Sequence, residues 1–193
     1  MITIMRELCY RTGHLFISWK IGRKTLSSVC CIVFVCMLIP LVIISLFNYP
    51  ADDDFGFALP VAEAWIQTGS LTSMLQAIYN KTYAVYMEAQ GYFVSTALFS
   101  INAMIVNIDF YFINNLLLLF LLCSSVAYFL KALYRTIGTC NKGFFWIMYT
   151  ASMVLVLQFI PNIDDGIYWH VGGMYIVVSC ALLLHWHDKR MSE

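Results

Sequence analysis

The stretch from Leu26 to Phe47, LSSVCCIVFVCMLIPLVIISLF, contains no charged residue. A bilayer core needs about 20 apolar residues in helix, so this run crosses a membrane more naturally than it fills a soluble core. A secretory signal has a shorter apolar run and a small-residue cleavage site. Neither is present, and the segment reads as a signal anchor. Composition agrees, with 61% of residues hydrophobic and 11% charged against about 25% charged in soluble domains. The mean hydropathy is +0.77.

Three further stretches meet the same requirement: 110–130, 144–160 and 168–186. A fifth run, 88–106, is interrupted by Gln90 and Asn102. The distribution of Lys and Arg decides its place, because basic residues near span ends stay on the cytoplasmic side. With four spans, ten of the eleven basic residues are cytoplasmic, Lys81 being the exception. A fifth span would leave five inside and six outside, which is no bias. The expected fold class is therefore all-α, a polytopic membrane protein with four transmembrane helices and both termini cytoplasmic.

The expected layout is a single membrane domain, 1–193. The cytoplasmic segments are 1–25, 131–143 and 187–193; the outer loops are 48–109 and 161–167. In the first outer loop, Ala58, Val61, Ala62, Trp65 and Ile66 recur at helical spacing, as do Leu71, Met74, Leu75, Ile78 and Tyr79. They predict short interfacial helices over 56–68 and 71–80, lying flat on the membrane, with 88–106 as a third.

This topology places eight of eleven acids outside, including Asp52-Asp53-Asp54 after the first span and Asp164-Asp165 before the last. Neighbouring carboxylates repel, which favours a bound cation or a shared proton. An oxygen-rich site suits magnesium or manganese, with Asp53, Asp54 and Asp165 as ligands. A carboxylate also serves as a general base, the role expected of Asp53 or Asp54. His170 is a candidate ligand or base, or an interfacial hydrogen-bonding residue. Asn114 and Asn115 are polar glue between helices or face the cleft. Gly172 and Gly173 permit close approach of a ligand or of a neighbouring helix.

Several classes of function are excluded. The formal net charge is zero and no basic arm is present, so nucleic acid is not an expected partner. No glycine-rich phosphate loop occurs, so no nucleotide or organic cofactor is expected. The seven cysteines form no C-x-x-C pair, which argues against a zinc or disulfide framework.

The arrangement of these residues resembles GT-C membrane glycosyltransferases, and more narrowly bacterial relatives of the O-antigen glucosyltransferases. Asp53, Asp54 and Phe55 match an Asp-Asp-aromatic motif after the first span. Gly91, Tyr92 and Phe93 stand where the family carries Gly-Arg-Phe, with Tyr in place of Arg. Tyr168, Trp169, Gly172 and Tyr175 match an aromatic-Trp stretch of a later outer loop. The resemblance implies an inner-membrane enzyme that moves a sugar, with inversion, from a polyprenyl-phosphate donor to an envelope glycan or lipid acceptor. It implies substrate contacts from Phe55, Glu88, Tyr92, Asp164, Asp165, Tyr168, Trp169, His170 and Tyr175. Family members have more spans than this chain, so the resemblance implies an N-terminal or truncated portion, or a compact relative that has lost activity. The competing expectation is a non-catalytic membrane subunit of a transport or envelope-assembly complex. Ionisable residues in mid-span would point to a channel; none occurs in the four stretches.

Overall fold

The computed structural model describes residues 5–11, 14–20, 22–51, 53–88, 92–138, 141–160, 162–179 and 181–182. Two strands, β1 (Met5–Arg11) and β2 (His14–Lys20), form an antiparallel hairpin with Met5 opposite Lys20 and Arg11 opposite His14. Apart from this hairpin every described element is helical, as the all-α expectation has it.

Helix α1 (Arg23–Leu46) has 24 residues, about 36 Å at 1.5 Å per residue, enough to cross a hydrocarbon core of about 30 Å. Pro40 lies inside it and removes one backbone hydrogen bond, which membrane helices tolerate. Only Leu41 and Ser45 of α1 are buried, and Ile32 is 62% exposed. An apolar helix this bare is stable where its surroundings are themselves apolar. Helix α5 (Phe112–Ile137) ends at Gly138, whose φ of 77° suits the left-handed cap and whose N–H donates to Tyr134 O at 3.1 Å. Helix α6 (Lys142–Phe159) is capped by Asn141, whose Oδ1 accepts from Gly143 N at 3.0 Å. Helices α1, α5 with its preceding turn, and α6 are each long and apolar enough to cross a membrane.

The expected span 168–186 is not continuous from its start. A wide π turn covers Asp164–Tyr168, Trp169 is extended, and a helix restarts as α7 (His170–Gly173), passing into a second wide turn over Met174–Val178. Positions 180 and 183–186 lie outside the described residues.

In the first expected outer loop, α2 (Asp53–Thr68) begins three residues before the expected 56. Asp53 and Asp54 therefore occupy its first turn, where the helix dipole favours negative charge. Gly69, at φ 59°, separates α2 from α3 (Leu71–Glu88), which outlasts the expected 71–80. The expected helix 88–106 is corrected to α4 (Phe93–Phe99) followed by 3-10 turns at Ala103–Ile105 and Ile108–Phe110. The side chains of Asn102 and Asn107 each cap one of these turns, offering the backbone an alternative to continuing the helix.

The core between helices is built on one stripe of α5. Leu118, Leu122, Val126 and Leu130 repeat every four residues and meet Tyr149 and Met153 of α6 and Val177. A second cluster joins Ala58, Val61 and Ala62 of α2 to Met104, Ile105 and Tyr111. Between these clusters lies the polar junction described next.

Candidate functional site

Asp54 is completely buried, while Asp53 beside it is exposed. The Asp54 carboxylate is held from three directions. Tyr111 Oη and Ala51 N donate to its Oδ2, the latter at 3.3 Å, and Val171 N donates to its Oδ1 at 3.2 Å. Tyr111 Oη in turn accepts from His170 N at 3.0 Å and lies 3.2 Å from Tyr168 O. A hydroxyl has one hydrogen, and Asp54 Oδ2 is the nearer of its two acceptors. Tyr168 O also accepts from Asn48 Nδ2, and Tyr168 Oη donates to Leu41 O at 3.2 Å.

The logic of this junction is local. The first amides of a helix have no partner within it. At α7 those of His170 and Val171 are met by Tyr111 and Asp54, so a residue 117 positions away in sequence caps the helix. Gly172 lets α7 fold back on the turn before it: a Cβ there would lie 2.1 Å from Asp165 O and 2.8 Å from Trp169 Cε3. At Gly173 a Cβ would lie 2.5 Å from Leu118 Cδ1, so α7 packs closely on α5.

His170 is buried, and neither of its ring nitrogens has a hydrogen-bond partner among the described residues. The carbonyls of Leu98 and Ile101 act on the ring without meeting hydrogen-bond geometry, and the Asp54 charge acts on it as well. Trp169 Nε1 and both amide atoms of Asn115 are likewise unpartnered. Asn114 differs from its neighbour: its Oδ1 accepts from Ala103 N at 3.0 Å and its Nδ2 donates to Asn102 Oδ1 at 2.6 Å.

Outside the junction opens a cleft of about 240 Å³, lined by Asn48, Tyr49, Ala51, Asp164, Asp165, Tyr168 and Trp169. Asp164 and Asp165 are exposed. Asn162 organises them, its Nδ2 donating to Asp165 Oδ2 at 2.9 Å and its Oδ1 accepting from Asp164 N at 3.2 Å. Asp54 lies behind the Ala51 wall of this cleft, bonded to that residue's amide.

The other expected site residues are placed elsewhere. Phe55 packs into the α2 cluster with Tyr111. Glu88 is exposed at the end of α3. Tyr92 and Tyr175 meet edge to face, with centroids 6.3 Å apart, and Tyr175 also meets Phe99 at 4.7 Å; neither tyrosine lines the cleft. The expected magnesium or manganese ligands Asp53, Asp54 and Asp165 do not assemble a site. No group of three His, Cys, Asp or Glu gathers among the described residues, and both Asp54 oxygens already accept hydrogen bonds.

Sequence reasoning missed Tyr111 and Asn48, the residues on which the junction turns. A polar residue directly after an apolar span was a usable signal for Asn48. Tyr111 carried none, since an aromatic at a span end is common at the headgroup level. Scans of protein-family models, of curated proteins and of solved structures each found no match to this chain.

Proposed function

We propose that the protein is a membrane glycosyltransferase of the lipid-linked-donor type, with Asp53 as its general base. The observation that carries this reading is the division of the acidic pair. Asp54 is buried with its oxygens engaged, whereas Asp53 is exposed at the start of α2. Asp53 stands two residues after Ala51, a lining residue of the cleft that also holds Asp164, Asp165 and Trp169. Asp53 stands in the first turn of α2, where the helix dipole favours negative charge.

The chemistry asks little more of the chain. Asp53 takes the proton of an acceptor hydroxyl as that oxygen attacks the anomeric carbon of a polyprenyl-phosphate sugar. The bond from that carbon to the phosphate oxygen breaks on the opposite face, and the lipid phosphate leaves with the electron pair. Tyr168 and Trp169 offer flat apolar surface to the sugar, and Asp164 and Asp165 offer acceptors to its hydroxyls. The cleft, at about 240 Å³, is smaller than the roughly 300–1,000 Å³ of drug-sized sites, which suits one sugar unit. On this reading the donor's lipid tail stays in the bilayer beside α1, α5 and α6 and a fourth span that starts within α7, with α2 and α3 flat on the outer surface.

The test is transfer from synthetic polyprenyl-phosphate sugars by the purified protein in lipid nanodiscs. Asp53→Asn should lower the rate by a factor of about 10² or more with folding intact. Full transfer by a folded Asp53→Asn protein would overturn the assignment. The engagement of Asp54 in a structural joint favours a second reading, a non-catalytic subunit of an envelope or transport complex. In that case Asp53, Asp164 and Asp165 can all be neutralised without consequence for the partner complex, while Asp54 cannot.

A further inference from the structure

Helices α1 and α6 begin side by side. Gly143 packs against Arg23 and Ser27, where an added Cβ would lie 3.8 Å from Arg23 O and from Ser27 Cβ. Thr150 Oγ1 donates to Cys30 O at 3.1 Å about two turns further in. The two helices thus start at the same end of the bundle, away from the acidic cleft that follows α1. Between their first turns is a cavity of about 630 Å³, lined by Arg23, Lys24, Ser27, Ser28, Asn141, Lys142, Gly143 and Trp146.

The charged side chains that α1 and α6 bring to this cavity are all positive. Three of its residues are cationic, and neither α1 nor α6 contains an Asp or Glu. Two helix N-termini add their partial positive charge, and at α1 the preceding Gly22 supplies no side-chain cap. Above the Ser28 side of the cavity the surface of α1 is apolar: Ile32, Val35 and Ile39, four, seven and eleven residues on, are all exposed. Trp146 on the rim has the amphipathic ring that favours the headgroup level.

We propose that this cavity binds the phosphate headgroup of an anionic phospholipid, whose acyl chains lie along the exposed apolar face of α1. The cations and hydroxyls match a phosphodiester, and the adjoining apolar track is what separates a lipid from a free phosphate. Basic pockets between membrane helices recognise anionic headgroups in this way. The site is separate from the acidic cleft and independent of the reaction proposed for it.

The experiment uses the full chain in a neutral detergent, titrated with phosphatidylglycerol, phosphatidylcholine or inorganic phosphate. Native mass spectrometry counts bound lipid, and a thermal melt reads stabilisation. Phosphatidylglycerol should bind and raise the melting temperature, and the other two should not. Arg23→Gln and Lys142→Gln should each weaken binding about fivefold, and Arg23→Gln/Lys24→Gln/Lys142→Gln together on the order of a hundredfold. Lys131→Gln/Arg135→Gln, at the exposed end of α5, should leave it unchanged. If the triple variant does not fold, the two single variants carry the test. Unchanged binding in those variants, equal loss in the α5 variant, or equal stabilisation by inorganic phosphate would each overturn the proposal.

Discussion

Replacing Tyr111 by phenylalanine removes one oxygen, and the junction gives that oxygen an unusual amount to do. It donates to the buried Asp54 carboxylate and accepts from His170 N. Loss of a hydrogen bond to a charged group costs about 1.5–3 kcal/mol, and a buried amide left without a partner about 1–3 kcal/mol. The sum is roughly 3–5 kcal/mol, a large part of the about 5–15 kcal/mol that holds a typical domain together. Asp54→Asn is milder, although it changes the charged residue itself. An asparagine Nδ2 can donate to Tyr111 Oη, which then turns its hydrogen toward Tyr168 O, 3.2 Å away. Only the longer bond from Ala51 N, at 3.3 Å, is lost to a donor facing a donor. About 1–2 kcal/mol is expected. Thermal unfolding in detergent, followed by size-exclusion fluorescence, should therefore rank wild type above Asp54→Asn and Asp54→Asn above Tyr111→Phe. A Tyr111→Phe protein as stable as wild type, or more stable than Asp54→Asn, would refute the account of the junction.

Two glycines and two adjacent asparagines give paired tests. Gly172→Ala should abolish the folded protein, because a Cβ 2.1 Å from Asp165 O forces backbone to move; Gly56→Ala, with nothing within 4 Å, should gain about 0.5–1 kcal/mol in the same melt. Asn114→Leu should cost about 1–3 kcal/mol by orphaning Ala103 N, whereas Asn115→Leu, whose amide has no partner among the described residues, should be neutral or stabilising. For topology, a Lys142→Cys protein in a background without other reactive thiols should resist impermeant maleimide in intact cells, and labelling there would place the start of α6 outside.

What could be read from the sequence divides by the range of the forces involved. Helices α1, α5 and α6 fall within a few residues of their expected spans, because length and hydropathy are properties of each segment alone. The 3.6-residue period of Ala58, Val61, Ala62 and Trp65 found α2 as well, but not its first turn, where Asp53, Asp54 and Phe55 show no such period. The break of 88–106 was written in Asn102 and Asn107, whose side chains cap new turns; apolar content concealed it. The difference between Asp53 and Asp54 was not accessible. They are the same residue type side by side, and the partner that sets one of them apart is Tyr111, 57 residues away. Asp54 reaches the backbone that follows Asp165, while Asp164 and Asp165 line the cleft; that contact too joins residues far apart in sequence.

The same span of sequence sets a clock on assembly. Asp54 and the amide of Val171 are 117 residues apart, and a ribosome adding about 5–20 residues per second needs roughly 6 to 23 seconds to make the second after the first. Throughout that interval α1 can insert, and α2 can form, with the carboxylate still in water and carrying its full charge. Burial of that charge must wait for α7, so the joint closes last. A chain halted before Val171 would present an open, acidic and hydrated end, a form that quality-control proteases could distinguish from the finished protein.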